Sequence, residues 1–320
     1  MLMPIFVILT FAFSLVLLAK SSGYVIKYGL VISKILGVST FVIGFLLVSV
    51  VTSLPELLVT IFSVIQNEPN LAVGNILGSN LIDLTIVAGL VVIFGGTVYM
   101  KKKETISLIE LLFIVSILML FIFQTGSLTQ VHGLILIILF GFLMVRLYKH
   151  GRVSKELYDG HEERHLYVWL KFLGSLAVLI AAAHFLVESS LWIADYFLLS
   201  ATLVGVTLVA MGTSIPELSV EIRAVKAKQY SFAMGDLFGS AITNSTLVLG
   251  TLSLLSPTTV NIVPLAGLMP FLMISILFLW YLFSTKRKIT RYEAGILLGI
   301  YVAYIFTTFI IEELLGIALL

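Results

Sequence analysis

The sequence predicts an all-α membrane protein of ten transmembrane helices, arranged as two inverted five-helix repeats in which helices 2 and 7 are broken. Three observations predict it. The chain is 60% apolar and only 11% charged, where a water-soluble domain carries about 25% charge. A 46-residue stretch occurs twice, at 44–89 and 205–250, with 18 identities at a constant offset of 161 and no gap. All 19 Lys and Arg residues fall on alternate connections between apolar runs.

Each run is long enough to cross a bilayer, which takes about 20 apolar residues. The first, 4–31, is too broad for a cleaved signal and lacks a basic start, so it reads as an anchor that stays. Lys20, Lys27 and Lys34 close it or follow it. Run 2 (39–66) and run 3 (71–98) carry the first copy of the repeat, and lysines at 101–103 lead into run 4 (105–124). Run 5 (128–147) ends the first unit, 1–148. The mixed-charge stretch 149–165 reads as a cytoplasmic linker. The second unit, 166–320, begins with run 6 (166–199) and carries the second copy on runs 7 (201–225) and 8 (231–256). Arg223, Lys226 and Lys228 close run 7, and the basic residues 286–291 join run 9 (260–284) to run 10 (290–319). The remaining connections hold only Glu68 and Asp195, and the C-terminal end has Glu312 and Glu313. Lysine-bearing loops face the cytoplasm, so both termini are expected outside a cell membrane that the chain crosses many times. Helix 2 then runs outward and helix 7 inward, because each unit has an odd number of helices. Inverted repeats with interrupted helices meeting at mid-membrane are a transporter architecture.

The two copies concentrate the chemistry. Thr52-Ser53-Leu54-Pro55-Glu56 and Thr213-Ser214-Ile215-Pro216-Glu217 lie near the middle of their helices. Proline gives no N–H and clashes with the preceding turn, so the helix breaks there and leaves carbonyls at about 48–52 and 209–213 for another partner. A carboxylate at the bilayer centre costs ~2.5–3.5 kcal/mol or more, and is kept where it is paired or functional. The first copy contains no Lys, Arg or His, and the three basic residues of the second lie at its cytoplasmic end. A mobile cation or proton is therefore the expected partner of Glu56 and Glu217. Gly74 and Gly235 favour close backbone approach on helices 3 and 8. Ser79, Asn80 and Asp83 follow in one copy, and Ser240, Thr243 and Asn244 in the other; the four-residue spacing puts Ser79 with Asp83, and Ser240 with Asn244, on one face. With the hydroxyls of Thr52, Ser53, Thr213 and Ser214, this set offers oxygen alone. Hard cations such as Ca²⁺ fit it; zinc and copper prefer nitrogen or sulfur, and the chain has no cysteine. Two glutamates balance one Ca²⁺ or two monovalent ions, and Asp83 makes room for a third.

These motifs, VTSLPE…GNILGSNLID and GTSIPE…GDLFGSAITN, resemble those of the cation/Ca²⁺ antiporter superfamily, most closely its prokaryotic sodium/calcium exchangers. The resemblance covers the whole chain in layout and is specific within the two copies. It implies a secondary antiporter exchanging Ca²⁺ for Na⁺ by alternating access, with no cofactor. Glu56 and Glu217 would bind Ca²⁺ and share the Na⁺ sites, with carbonyl ligands from Thr52 and Thr213. Ser53, Ser214, Ser79 and Ser240 would help to bind Na⁺, and carbonyls of Ser49 and Ala210 would complete the set. It further implies that helices 1 and 6 slide as a pair. Three positions depart from the family pattern. Val51 replaces a glycine, which is expected to stiffen the first break. Asp83 and Asn244 exchange the usual Asn and Asp. Asp236 replaces an Asn, where it reads as a further ligand or proton site, or as an N-terminal helix cap.

A Ca²⁺/H⁺ antiporter on the same scaffold is the alternative, although the GNxxE-type motif of proton-coupled relatives is absent. An intramembrane protease is disfavoured, since Asp83 and Asp236 lack the Tyr-Asp and Gly-x-Gly-Asp contexts; an enzyme is not expected. A channel fits the interrupted repeats less well than alternating access does. Inorganic cations and lipid are the expected partners, without nucleic acid, and a monomer is the expected state. Outside the set, Glu221 reads as a solvated helix end, Glu188 and His184 as packing residues, and Glu110 and Glu293 as charges that complement the starts of helices 4 and 10.

Overall fold

The computed structural model describes residues 2–35, 48–99, 102–150, 165–260 and 262–315. Helix makes up most of the described part of every apolar run. The first unit holds α1 (Leu2–Ile35), α2 (Val48–Thr52), α3 (Leu54–Ile65), α4 (Pro69–Ile82), α5 (Ala88–Gly95), α6 (Lys102–Gln124) and α7 (Gln130–His150). The second holds α8 (His165–Tyr196), α9 (Ala201–Val204), α10 (Ala210–Thr213), α11 (Ile215–Lys226), α12 (Tyr230–Thr243), α13 (Leu249–Leu255), α14 (Ile262–Tyr281) and α15 (Arg291–Leu315). Among the described residues, six helical runs are long and apolar enough to cross a membrane: Met3–Gly29, Pro69–Gly95, Leu166–Tyr196, Ala201–Lys226, Phe232–Leu255 and Gly267–Lys286. The expected linker at 149–165 lies outside the described residues except at its two ends, as does the start of the first copy up to residue 47.

The offset of 161 governs the elements as well as the letters. α3 and α11, and α4 and α12, correspond residue for residue at both ends. So do two π-helical turns, Asp83–Val87 and Asn244–Val248, which join α4 to α5 and α12 to α13. Four two-residue strands form two small two-stranded sheets among the described residues. β1 (Val98–Tyr99) pairs antiparallel with β4 (Lys288–Ile289), and β2 (Ser127–Leu128) with β3 (Thr258–Thr259). β1 and β4 lie in lysine-bearing connections, whereas β2 and β3 lie in connections without a basic residue. Each ladder therefore joins loops that the charge pattern assigns to one face.

Two apolar clusters organise the interior. The larger spans α4–α7 and α12–α15. The smaller lies between the long helices α1 and α8 and the broken-helix region, through Leu18, Val25, Val59, Leu71, Leu186, Val204 and Val209. α1 and α8 pack along one another, and at about 1.5 Å per residue α1 is roughly 51 Å long, well beyond a hydrocarbon core of about 30 Å. α4 approaches the chain before α10 very closely. A Cβ placed on Gly74 would stand 2.2 Å from the Thr202 carbonyl oxygen, and one on Gly78 would stand 2.5 Å from that of Val206.

Two expectations are corrected here. The two breaks share one conformation, Ser53 at φ −80°, ψ 5° and Ser214 at φ −81°, ψ −2°, although Val51 stands in the first where the second has a glycine. The glycine at the matching place, Gly212, instead clears Leu15 of α1, whose Cδ2 a Cβ there would meet at 2.0 Å. Asp236 lies inside α12, whose cap is Gln229, so the cap reading is withdrawn. Glu110 sits two turns into α6, beyond the reach of the dipole, because that helix starts at Lys102. Glu293 does occupy the first turn of α15, where it binds Lys286 at 2.7 Å, the Thr290 N–H at 3.0 Å and the Thr290 hydroxyl.

Candidate functional site

Each proline sits in the first turn of the helix after the break, where its missing N–H is tolerated locally. A single residue, Ser53 or Ser214, separates the two helical pieces, so Thr52 and Thr213 end one piece and Glu56 and Glu217 lie in the first turn of the next. A carboxylate there benefits from the helix dipole. Both glutamates are buried at 1% exposure. Neither oxygen of Glu56, nor Oε2 of Glu217, has a hydrogen-bond partner. The hydroxyls of Thr213 and Ser79 flank Glu56, and Glu217 lies within the electrostatic reach of Glu56, Asp83 and Asp236.

The two copies interlock through their threonines. The Thr52 hydroxyl lies 3.2 Å from the Ser49 carbonyl oxygen and 3.3 Å from Oδ1 of Asp236. The Thr213 hydroxyl stands in the corresponding place, 3.2 Å from the Ala210 carbonyl oxygen and 3.2 Å from Oδ1 of Asn75. It also meets the Ser79 hydroxyl at 3.1 Å. Ser240 breaks the correspondence by donating to the Leu237 carbonyl of its own helix at 3.1 Å. The Asn80 amide donates across the copies to Ser245 Oγ at 2.8 Å. The Ser214 hydroxyl faces Asp83.

The site residues named from the sequence are thus buried together around the two breaks. Ser49, Thr52, Ser53, Ser79, Asn80, Asp83, Ala210, Thr213, Ser214, Ser240 and Asn244 are all 2% exposed or less. Many of their polar atoms lack partners: Ser49 Oγ, Ser53 Oγ, Ser214 Oγ, Asn80 Oδ1, Asp83 Oδ1 and Asn244 Oδ1. Buried polar atoms are normally satisfied, so a cluster of bare oxygens fits a cation. Among the described residues, ion pairs join His184 to Glu188 and Lys286 to Glu293, and none reaches this cluster. No three Asp, Glu or His side chains of the described residues converge on one point. An ion held here would take most of its ligands from hydroxyls, amides and carbonyls, as the oxygen inventory already suggested. The two π turns begin at Asp83 and Asn244. There the Thr85 and Thr246 hydroxyls bond back to the carbonyls of Leu81 and Ile242 at 2.5 and 2.6 Å. π turns recur at functional sites in helices.

Sequence reasoning missed three participants. Asn75, which stands at the position of Asp236 in the first copy, accepts from the Thr213 hydroxyl and was not among the named site residues. Ser245 has no matching hydroxyl in the first copy, so the repeat gave no signal for it. Glu221, expected to be solvated at a helix end, is fully buried and both its oxygens are without partners. Basic neighbours at the end of α11 suggested water there, but packing of α5, α12 and α1 excludes it.

Comparison with known proteins places these features. The family model described as sodium/calcium exchanger protein matches the chain twice, over residues 6–149 and 167–310. The sodium/calcium exchanger MaX1 of Methanosarcina acetivorans is 28% identical over 93% of this chain and 97% of its own length. The inner membrane protein YrbG of Escherichia coli is 28% identical over 79% of this chain and 80% of its own. A solved structure of the sodium-calcium exchanger NCX_Mj, soaked with Na⁺ and Sr²⁺, superposes with a TM-score of 0.69 at 26% identity, covering 94% of this chain and 98% of that one.

Proposed function

The chain belongs to the sodium/calcium exchanger family, and from that premise we propose that it is a secondary antiporter moving Ca²⁺ against Na⁺ by alternating access. One observation carries the reading. Glu56 and Glu217, each in the first turn after a helix break, are buried with unpartnered oxygens and have no basic partner among the described residues. In a dry interior such charges require a counter-ion, and an ion that passes through satisfies this in each state. Ca²⁺ draws on both glutamates with carbonyl oxygen from Thr52 and Thr213. Na⁺ ions use the same carboxylates with Ser53, Ser214, Ser79, Ser240, Asp83, Asn244, Asn80 and the carbonyls of Ser49 and Ala210. Mutually exclusive occupancy of one carboxylate set is what couples the two fluxes.

The scaffold in this reading is two inverted five-helix repeats, 1–148 and 166–320, joined by a cytoplasmic linker at 149–165, with both termini outside. The recurrence of element ends at an offset of 161, the double match of one family model and the pairing of β1 with β4 and of β2 with β3 support it. The pair α1 and α8 is the moving part. Ser21, Ser189 and Ser190 satisfy their hydroxyls on their own helices, which leaves the face towards the site without hydrogen bonds from these residues to break during sliding.

Radioactive Ca²⁺ uptake into proteoliposomes tests the proposal. Uptake should follow an outwardly directed Na⁺ gradient, and Glu56→Gln or Glu217→Gln should lower apparent Ca²⁺ affinity by about a hundredfold or more, since ligand charge tunes Ca²⁺ sites over that range. Uptake by the double variant at the wild-type level would sink the reading. The proton-coupled alternative is separated by driving uptake with a pH gradient in Na⁺-free vesicles.

A further inference from the structure

Two buried acids are left over from that scheme. Glu221 lies one turn beyond Glu217 on α11, is 0% exposed, and neither carboxylate oxygen has a hydrogen-bond partner. The charges that act on it are those of Asp236 on α12 and then Asp83. Asp236 is equally buried; its Oδ1 takes the Thr52 contact, and its Oδ2 has no partner. Three unpartnered oxygens therefore belong to a pair of acids on neighbouring helices.

The internal repeat shows that this pair is an addition. In the first copy the same two positions hold Thr60 and Asn75, which are buried and neutral, and Thr60 Oγ1 and Asn75 Nδ2 are also without partners. The place is polar in both copies but acidic in one. Asn75 makes towards Thr213 the same contact that Asp236 makes towards Thr52. The negative charge of Asp236 is thus not needed for that contact.

Charge balance points the same way. Glu56, Glu217 and Asp83 match three Na⁺, or leave one charge over with a single Ca²⁺. Glu221 and Asp236 add two more, and a bare buried carboxylate is penalised by several kcal/mol. Among the described residues, no neighbouring element supplies a cation. α12 brings Asp236 and the π turn brings Asp83, while α5 contains no ionisable residue. α1 carries Lys20, Tyr24 and Lys27 on its exposed side, and its Tyr28 packs with Val168 of α8. On α11 itself, Arg223 turns to the Ser219 carbonyl.

We propose that Glu221 and Asp236 form an accessory site for one monovalent cation, Na⁺, between the central carboxylates and the basic end of α11. The proposal rests on the antiporter reading of the central site. The pair offers three free oxygens, fewer than the six to eight that Ca²⁺ takes. Since the acids occur in one copy alone, the site makes the two membrane faces inequivalent. Cation number per Ca²⁺ is then raised by one above what the central cluster carries.

The test is the zero-flux point of the full-length protein in proteoliposomes. The Ca²⁺ gradient that just halts net flux is measured against imposed Na⁺ gradients at constant pH, and in a second arm against pH gradients at constant Na⁺. Wild type should couple one more Na⁺ to each Ca²⁺ than Glu221→Gln does in the first arm, and a difference seen in the second arm alone would overturn Na⁺ as the occupant. Asp236→Asn copies the first repeat, keeps an oxygen for Thr52, and should show the same loss if Glu221→Gln does not fold. Equal cation numbers for wild type and the folded variants in both arms would overturn the accessory site and leave the antiporter standing. Wild type with no Ca²⁺ flux driven by either gradient would overturn the antiporter reading itself.

Discussion

Thr213 is where the two copies touch most closely. Its hydroxyl serves Ser79, Asn75 and the Ala210 carbonyl at once, and it flanks Glu56. Replacing it by valine keeps the shape and strands the Asn75 oxygen and the Ser79 hydroxyl in a buried setting. Thr213→Val is expected to lower unfolding stability by about 1–3 kcal/mol, the cost of unsatisfied buried polar groups. Thermal unfolding in detergent checks the stability, and the Na⁺ dependence of Ca²⁺ uptake should weaken in parallel. Ser240→Ala should lower stability much less, because Ser240 bonds only within its own helix. The exchange of Asp83 with Asn244 keeps one acid at that level of the site, but places it beside Ser214 rather than in the second copy.

At the scale of elements, the break at each Thr-Ser-x-Pro-Glu is a local event with the same backbone geometry twice. What brings the two breaks together is glycine. Gly74 and Gly78 let α4 lie directly on the backbone of the 202–206 segment, and the counterpart approach is made by Gly205 against Leu71. A methyl at Gly74 would strike a carbonyl oxygen, which cannot rotate away as a side chain can. Gly74→Ala is therefore expected to destabilise by about 1–3 kcal/mol, as overpacking does, and to reduce Ca²⁺ uptake by moving Ser79 away from Thr213. Gly95→Ala would meet Cγ1 and Cβ of Val225 at 2.7 and 2.9 Å, atoms of a stiff β-branched side chain held close to its backbone, and should destabilise as well.

For the whole molecule, the absence of cysteine allows clean labelling. Tyr99→Cys and Lys288→Cys, on the β1–β4 ladder, should react with impermeant reagent from the cytoplasmic side. Ser127→Cys and Thr259→Cys, on the other ladder, should react from outside. Labelling of both ladders from one side would refute the inverted arrangement. Sliding of α1 and α8 as a pair makes a second prediction. A disulfide between Leu15→Cys and Gly212→Cys, side by side in this structure, should halt exchange until it is reduced.

The sequence by itself determined the repeat, the places where the helices break and the oxygen-rich set around them. These are properties of covalent structure and of counting: proline lacks its N–H wherever it stands, and a duplicated motif is visible letter by letter. It also carried the one-sided distribution of lysine and arginine. The tertiary structure alone decided which polar groups lose water and whom they face. Glu221 read as solvated beside Arg223 and Lys226, yet neighbouring helices bury it; Asp236 read as a possible cap, yet it meets Thr52 from 184 residues away. The π turns and the two small ladders were equally unreadable, because each depends on which distant backbone lies alongside. Burial is a property of the packed neighbours, and no single helix encodes its own.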